Sequence, residues 1–508
     1  MSLAMSASVR QRFAASLGAN VMRGGLNFAT GLLLARGLGP EQFGQMAFLF
    51  GTFQGVRQLL DMGTSTAFFT FLSQRERSHR FVRYFMAWLG LQFLVSVALV
   101  GLLLPSQWVA DIWQGEDRRL VLLALIAVFM QYHAWPIASQ IGEAQRRTYR
   151  VQSVGLVVAL LHGLVVLSLW LGGRLGLYLV FAAIAVEYLI ASLWVYRGAK
   201  FPMLAGEDDA PVKVGKKFLN YCLPLIPYAW VSFAYEFADR WLLQHYGGAR
   251  QQAYYAVAAQ FAMVALIATM SVLRIFWKEI AEAQFRGDKQ RVETLFRKTS
   301  RSLFFLGAVI AGLMLPWTGE ILALVLGPAY SDGKVALAIM FLYPIHQSLG
   351  QITGSFLYAT ERAVLQVKVG LVFMLCGIAV TYLVLAPDEA LLPGLNLAAT
   401  GLALKMVLMQ FIQVNVVNLL IARSMGWRFD WHYQVVGLSG VLLVGWGCSS
   451  LARAFGLPFM LEFAISATCY LLFMIALLYS MPSLVGLGRA ELKSEIQRVH
   501  AWLLGRRA

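Results

Sequence analysis

The chain has 508 residues, 59% hydrophobic and only 13% charged, with a formal net charge of +16. This composition excludes an ordinary soluble domain and points to an integral membrane protein, in which each helical span takes about 20 apolar residues. The four cysteines, Cys222, Cys376, Cys448 and Cys469, lie at unrelated spacings with no C-x-x-C pair, so they predict neither a metal centre nor a disulfide framework.

Fourteen apolar stretches follow along the chain, near 14–36, 44–71, 82–104, 119–141, 151–172, 176–196, 218–244, 252–276, 302–326, 335–360, 364–386, 393–421, 433–452 and 459–481. The first carries Asn20, Arg23 and Asn27 with no small-residue cleavage pattern behind it, and reads as a retained span rather than a signal peptide. With the N-terminus inside, the outside connections hold only Arg36, Arg118, Arg119, Arg174, Arg250, Lys334 and Arg453. Most of the 42 Lys and Arg therefore fall on the cytoplasmic side. That asymmetry is the positive-inside pattern, and it predicts both termini cytoplasmic. It also accounts for the basic charge without nucleic acid.

The longest inside connections are Arg197 to Lys217, with Glu207-Asp208-Asp209 and Pro211, and Arg274 to Arg301. The first reads as a linker between two halves; the second, with Val292, Leu295 and Phe296 among basic residues, predicts a helix lying on the membrane surface. A weak internal repeat supports the division: LLARGLGPEQFGQM, at the join of spans 1 and 2, aligns without gaps with LLQHYGGARQQAYY, at the join of spans 7 and 8, at an offset of 209 residues. Gly39 then matches Gly248 and Gln42 matches Gln251. Both copies begin inside and cross outward, so the expected fold is an all-α polytopic bundle of two parallel six-helix repeats. The expected organisation is an N-terminal lobe over 1–200, a linker over 201–217, a second lobe over 218–423, two added spans over 424–482, and a cytoplasmic amphipathic tail over 483–508 carrying Leu492, Ile496, Val499 and Trp502 on one face.

The stretches LLLARGLGPEQFGQMAFLF (Leu32 to Phe50) and DMGTSTAFFTFLS (Asp61 to Ser73) resemble the opening signature of bacterial polysaccharide exporters. These are the Wzx-type oligosaccharide-lipid flippases of the multidrug/oligosaccharidyl-lipid/polysaccharide superfamily. LNYCLPLIPYAW (Leu219 to Trp230) and ADRWLLQHYGGARQQAYYAVA (Ala238 to Ala258) are similar to the start of that family's second half. The resemblance implies two lobes around a central cavity, alternating access, and a polyprenyl-diphosphate-linked oligosaccharide carried across the bacterial inner membrane. Membrane lipids and the polymerase and glycosyltransferases of the same pathway are the implied partners. In related lipid II flippases a first-span arginine faces the cavity, and Arg23 occupies a comparable place. Their arginine–aspartate pair after span 1 is replaced here by Arg36-Gly37, which disfavours a peptidoglycan precursor as cargo.

Four cations, Arg23, Arg57, Arg240 and Lys405, stand inside predicted spans, where an ionisable group costs several kcal/mol unless it meets water or a partner. Guanidinium suits phosphate because it presents paired donors in a rigid fork. Arg23, Arg57 and Lys405, at comparable depths, are the candidates for an anionic path; for Arg57 the alternative is an ion pair with Asp61 at i+4. Asp61, Glu187, Glu236, Asp239 and Arg240 are candidates for ion coupling or gating, with H+ or Na+ as the coupling ion. Glu236 and Arg240 share a helical face, whereas Asp239 is rotated away toward another span. Pro224 and Pro227 predict a bend and a hinge near the inner end of span 7. Trp108, Trp113, Trp135 and Trp317 read as an interfacial belt. No phosphate-cradling G-x-x-x-x-G-K-[ST] and no nucleophile motif occurs, so neither an ATP-driven pump nor an enzyme is expected, and no cofactor or metal. A multidrug cation antiporter is the alternative transporter, with a carboxylate-rich cavity, and a non-transporting envelope scaffold the alternative outside that class.

Overall fold

The computed structural model describes residues 9–74, 77–199, 201, 211–492, 494 and 497. Every regular element among them is helical. Two compact units are formed, one running through Val257 and including Met374–Leu402, the other combining Ala258–Phe373 with the chain from Ala403. The expected linker over 201–217 falls within the first unit, and its residues 202–210, with Glu207, Asp208 and Asp209, lie outside the described residues.

The first unit opens with α1 (Val9–Asp61), a single run of 53 residues broken at Gly39. There φ is 73° and ψ 170°, a region open essentially to glycine alone. Pro40 then starts the second limb, where its missing N–H is harmless and its fixed φ suits a helix start. Next come α2 (Thr64–Gln74), α3 (His79–Ala98), α4 (Ser106–Ile112), α5 (Arg118–Phe129), α6 (Trp135–Ala144), α7 (Thr148–Leu171), α8 (Leu177–Arg197) and α9 (Pro211–Cys222). Leu223–Leu225 form a 3-10 turn around Pro224 before α10 (Ile226–Ala265). Proline cannot supply a helical N–H, so the α-helical ladder is interrupted here, at the place where the sequence predicts a bend. The second break, at Gly248, has φ 75° and ψ −178°. The two aligned glycines of the repeat thus share one backbone conformation.

Aromatic packing holds the proline end of this unit together. Phe68 stacks on Phe85 with ring centroids 3.9 Å apart, Phe85 meets Phe218 at 5.7 Å, and Lys217 Nζ lies 4.4 Å above the Phe71 ring.

The second unit contains α11 (Ile267–Phe285), α12 (Lys289–Met314), α13 (Thr318–Leu326), α14 (Lys334–Met340) and α15 (Tyr343–Ala359). It also contains α18 (Trp431–Arg453) and α19 (Phe459–Ser480), while α16 (Ala363–Leu385) and α17 (Ala398–Met425) pass from one unit to the other. The surface-lying helix expected between 274 and 301 is not a separate element. Instead α11 and α12 extend past the apolar stretches and meet at a turn around Gly287. Val292 is fully buried beside Phe276, Ile280 and Phe356, so its apolar face is used for packing between the helices. Both added helices pack on α12: Gly312 and Gly445 bring their backbones together, and the Tyr470 hydroxyl donates to the Val309 carbonyl at 3.0 Å. Arg301 pairs with Asp430, and Ser302 Oγ donates to the Val485 carbonyl at 2.9 Å, fixing the start of the C-terminal segment. Leu492 is buried, whereas Ile496, Val499 and Trp502 of the expected amphipathic tail lie outside the described residues.

All fourteen apolar stretches are largely helical. Among the described residues nine helices are long and apolar enough to span a membrane, ten if the bent pair Pro328–Met340 and Tyr343–Ala359 is one span. The stretches that do not qualify belong to α1, α9, α10 and α11, and these include the ones bearing Arg23, Arg57, Glu236, Asp239 and Arg240. Their polarity keeps them below the apolar threshold, which separates them from the lipid-like helices around them. One tryptophan expectation is corrected by burial: Trp108 is exposed, but Trp113, Trp135 and Trp317 are in the core, with Trp113 stacked on Phe53 and Arg453 over Trp317.

Candidate functional site

Within the first unit, residues 44–63, from α1 into the turn that follows it, run antiparallel to residues 225–249, from the Pro224 turn into α10, in close contact. The contact follows glycines spaced along α1. A Cβ at Gly44 would overlap the Ala249 carbonyl oxygen, and one at Gly51 would stand 2.7–2.8 Å from Arg240 Cγ, Cδ and Nε. One at Gly55 would touch Phe233 and Phe237 at 3.6 Å, and one at Gly63 would meet Leu225 Cδ1 at 2.6 Å. Small residues at this spacing let helix backbones approach in a membrane, where apolar burial gives no drive for association. At the end of this contact Arg250 Nε meets Glu41 Oε2 at 3.2 Å, with a separation of 209 residues, so equivalent positions of the two repeat copies pair with each other. His245 Nδ1 lies 3.1 Å from Gln114 Oε1 nearby. Glu116, hydrogen-bonded to Gln45, has its pKa raised, first by burial and further by the neighbouring Glu41 carboxylate.

The Gly51 groove carries the Arg240 side chain to the ring of Tyr255, 5.1 Å from its centroid. Arg240 Nη1 is buried with no hydrogen-bond partner among the described residues. One turn earlier, Glu236 accepts a hydrogen bond from Gln58 and faces both Arg57 and Arg240. Asp239, on a different face, is buried and accepts a 2.6 Å hydrogen bond from Thr381 Oγ1 of α16. Arg57, Glu236 and Arg240 therefore form one neighbourhood, with Asp239 turned away from it but near enough for its charge to act on Glu236.

Asp61 does not close an ion pair with Arg57 among the described residues. Its carboxylate accepts from Ser65 N and Ser65 Oγ, both at 2.8 Å, and from Thr64 Oγ1 at 3.3 Å. It caps α2, supplying an acceptor for the Ser65 N–H, which has no partner within that helix. Arg57 instead lines a small cavity with Phe53, Leu60, Phe129 and His133. His133 is in a π-helical stretch, Met130–Ala134, a local widening of the helix that is frequent at functional sites. Its Nε2 lies 3.2 Å from Gln92 Oε1, and Gln92 donates to the Leu60 carbonyl.

Arg23 stands apart from this group. Its Nη2 donates to Asn20 Oδ1 at 2.7 Å, and its Nη1 lies over Gly155 of α7 beside Trp135. Among the described residues no carboxylate lies within ion-pair distance of it. Glu187 of α8 meets His162 Nδ1 of α7 at 2.9 Å, and its second oxygen is buried without a partner. Lys405, on α17 in the second unit, is 1% exposed.

The Gly51-x-x-x-Gly55 spacing was visible in the sequence and would have identified the α1–α10 contact. The π-helical stretch around His133 leaves no comparable signal, because its residues are ordinary for a span.

Residues 9–276, just over half the chain, match the model of a family described as Polysaccharide biosynthesis protein. No curated protein matches the sequence significantly. Among solved structures the fold is similar to lipid II flippase MurJ in its inward closed conformation, with a TM-score of 0.67 at 12% identity over 91% of this chain and 98% of that one. It is also similar to an inward-facing multidrug resistance MATE family transporter of the MOP superfamily, with a TM-score of 0.60 at 14% identity over 81% of this chain and 98% of the other. An outward-facing transporter of that description gives a TM-score of 0.52, again at 14% identity, over 82% and 96%. At such identities these likenesses speak to fold, and the fold is that of the multi-pass transporters of this superfamily.

Proposed function

Since the chain belongs to the polysaccharide biosynthesis protein family, we propose that it moves an undecaprenyl-diphosphate-linked oligosaccharide from the cytoplasmic to the periplasmic leaflet of the bacterial inner membrane. The glycan would be a unit of cell-surface polysaccharide. The observation that carries this reading is Arg23, a half-buried cation whose hydrogen-bond partner is the neutral amide of Asn20. A guanidinium kept inside a span with its charge uncompensated favours an anion, and its parallel N–H groups match phosphate oxygens. Arg57 would continue the path and Lys405 of the second unit is a separate candidate for meeting the anion, while Glu236, facing both Arg57 and Arg240, holds that part of the path closed until an anion competes for the arginines.

The glycine-lined contact between α1 and α10, ending at Glu41 and Arg250, would be the periplasmic closure. The 3-10 turn at Pro224 would be the hinge that lets α10 move, with Pro227 in the first turn beyond it. Of the four intramembrane carboxylates, Asp61 is engaged in capping and Asp239 in the bond from Thr381. Glu187 with His162 is then the best-placed pair to exchange a proton, and Na+ or the membrane potential is the alternative source of direction. A polymerase and glycosyltransferases of the same pathway would supply and consume the cargo.

The test is polymer export in cells depending on this chain. Reversing charge at Arg23→Glu together with Lys405→Glu is expected to abolish export at normal protein level. Export that continued unchanged would overturn the anionic path.

A further inference from the structure

Within the second unit, α15, α16 and α17 line a half-open cavity of about 200 Å³. Five of its lining side chains are glutamines: Gln347 and Gln351 of α15, Gln366 of α16, and Gln410 and Gln413 of α17, with Thr353 beside them. Room for them is left by Gly350, where a Cβ would stand 2.5 Å from Gln410 Nε2. The acceptor oxygens of Gln351 and Gln366 are buried with no hydrogen-bond partner among the described residues. Buried amide groups without partners are costly, and polar groups kept inside membrane spans mark paths for what the protein binds.

The chemistry of the lining restricts the occupant. No ionised side chain is among the lining residues described. A phosphate would call for cations and an amine for carboxylates. Each glutamine offers two N–H donors and a carbonyl acceptor, which matches hydroxyl groups that donate and accept at once. The volume has room for several waters, since about 10–15 Å³ of such space holds one. That is far more than a cation needs within one shell of oxygens, and comparable to a single sugar ring.

We propose that this cavity binds one uncharged pyranose ring of the transported glycan, and that Gln351, Gln366 and Gln410 determine which sugar is accepted. The source of the sugar rests on the transport reading above; the binding chemistry does not. Sites built to hydrogen-bond hydroxyls reject analogues lacking them more strongly than apolar pockets reject a missing methylene, so the cavity acts as a selectivity filter.

The test uses the full chain in lipid nanodiscs, titrated with neutral methyl pyranosides covering hexoses, 6-deoxyhexoses and N-acetylhexosamines, with a uronic acid as the charged comparison. At least one neutral ring is expected to bind, and the uronic acid about tenfold more weakly or not at all. Gln351→Ala with Gln410→Ala should weaken binding by about tenfold or more, from the loss of two or more hydrogen bonds. Gly350→Leu should abolish it by filling the cavity. Gln351→Met keeps the size of the side chain and adds no charge, so it should melt with the wild type while losing the sugar. The proposal is overturned if no pyranoside binds the wild type, if binding survives in all these variants, or if Na+ alone stabilises the protein through the same glutamines. Sugar binding that persists in a protein unable to flip lipid would support the cavity and count against the transport reading.

Discussion

Gly44→Ala is the most informative perturbation of the α1–α10 contact. Its Cβ would overlap the Ala249 carbonyl oxygen and stand 2.5 Å from the carbonyl carbon, where ordinary contact begins at 3.4 Å. Both are backbone atoms, so no rotamer change relieves the clash, and the two helices must separate by about 1 Å or more. Overpacking of this kind costs about 1–3 kcal/mol, which shifts a two-state equilibrium by about 5–150-fold. The separation would act at the end where Glu41 meets Arg250, so the closed state should lose population there. Spin labels at Glu41→Cys and Arg250→Cys, in a background with the four native cysteines replaced, read that distance directly. A longer distance or a new long component is expected on adding Gly44→Ala. An unchanged distribution would refute the close approach of these helices, because a contact that tolerates a methyl group there is not this one.

Three further outcomes follow from single residues. Gly39→Ala meets no neighbour, yet its backbone conformation is open essentially to glycine alone, so it should destabilise the protein by about 1–3 kcal/mol; a thermal melt equal to wild type would refute this. Asp61→Ala removes the cap of α2 and should cost about 1 kcal/mol, with Asp61→Asn recovering most of it. Equal melting of Asp61→Ala and wild type, with transport lost, would return Asp61 to the ion-coupling candidates. Glu116, its pKa raised where its loop packs against Gln45 and Glu41 of α1, binds a proton more tightly in the folded protein than in the unfolded chain. The stabilisation this brings is fully present below the ordinary carboxylate pKa and lost as pH rises through the raised one. Thermal stability should therefore gain from this group as pH falls through its raised pKa, and Glu116→Gln should remove that contribution; a pH dependence of melting unchanged in Glu116→Gln would assign it to another group.

The helices were legible because apolar runs long enough to span are rare by chance, and the first break because Gly39-Pro40 can neither continue a helix nor be replaced cheaply. The alignment of Gly39 with Gly248 carried more than a boundary, since both adopt one backbone conformation. Rotation about α10 also separated Asp239 from Glu236 and Arg240, and its acceptor role toward Thr381 is the contact that rotation allows. What stayed hidden depends on long-range packing. Asp61 sits four residues after Arg57, but the break at Met62 and Gly63 turned its carboxylate to the next helix. Trp113, Trp135 and Trp317 have the composition of an interfacial belt, and only tertiary contacts place them inside. The glutamine cavity assembles from three helices whose glutamines are scattered from 347 to 413, each unremarkable alone.

The central claim is most directly tested by reconstituting the full chain in liposomes with a fluorescent polyprenyl-diphosphate-linked oligosaccharide and following its exposure to an impermeant quencher. Wild type should equilibrate the lipid between leaflets, and Arg23→Glu should not. A wild type that leaves the lipid in place while exchanging organic cations for protons would contradict the account and favour the cation-antiporter alternative.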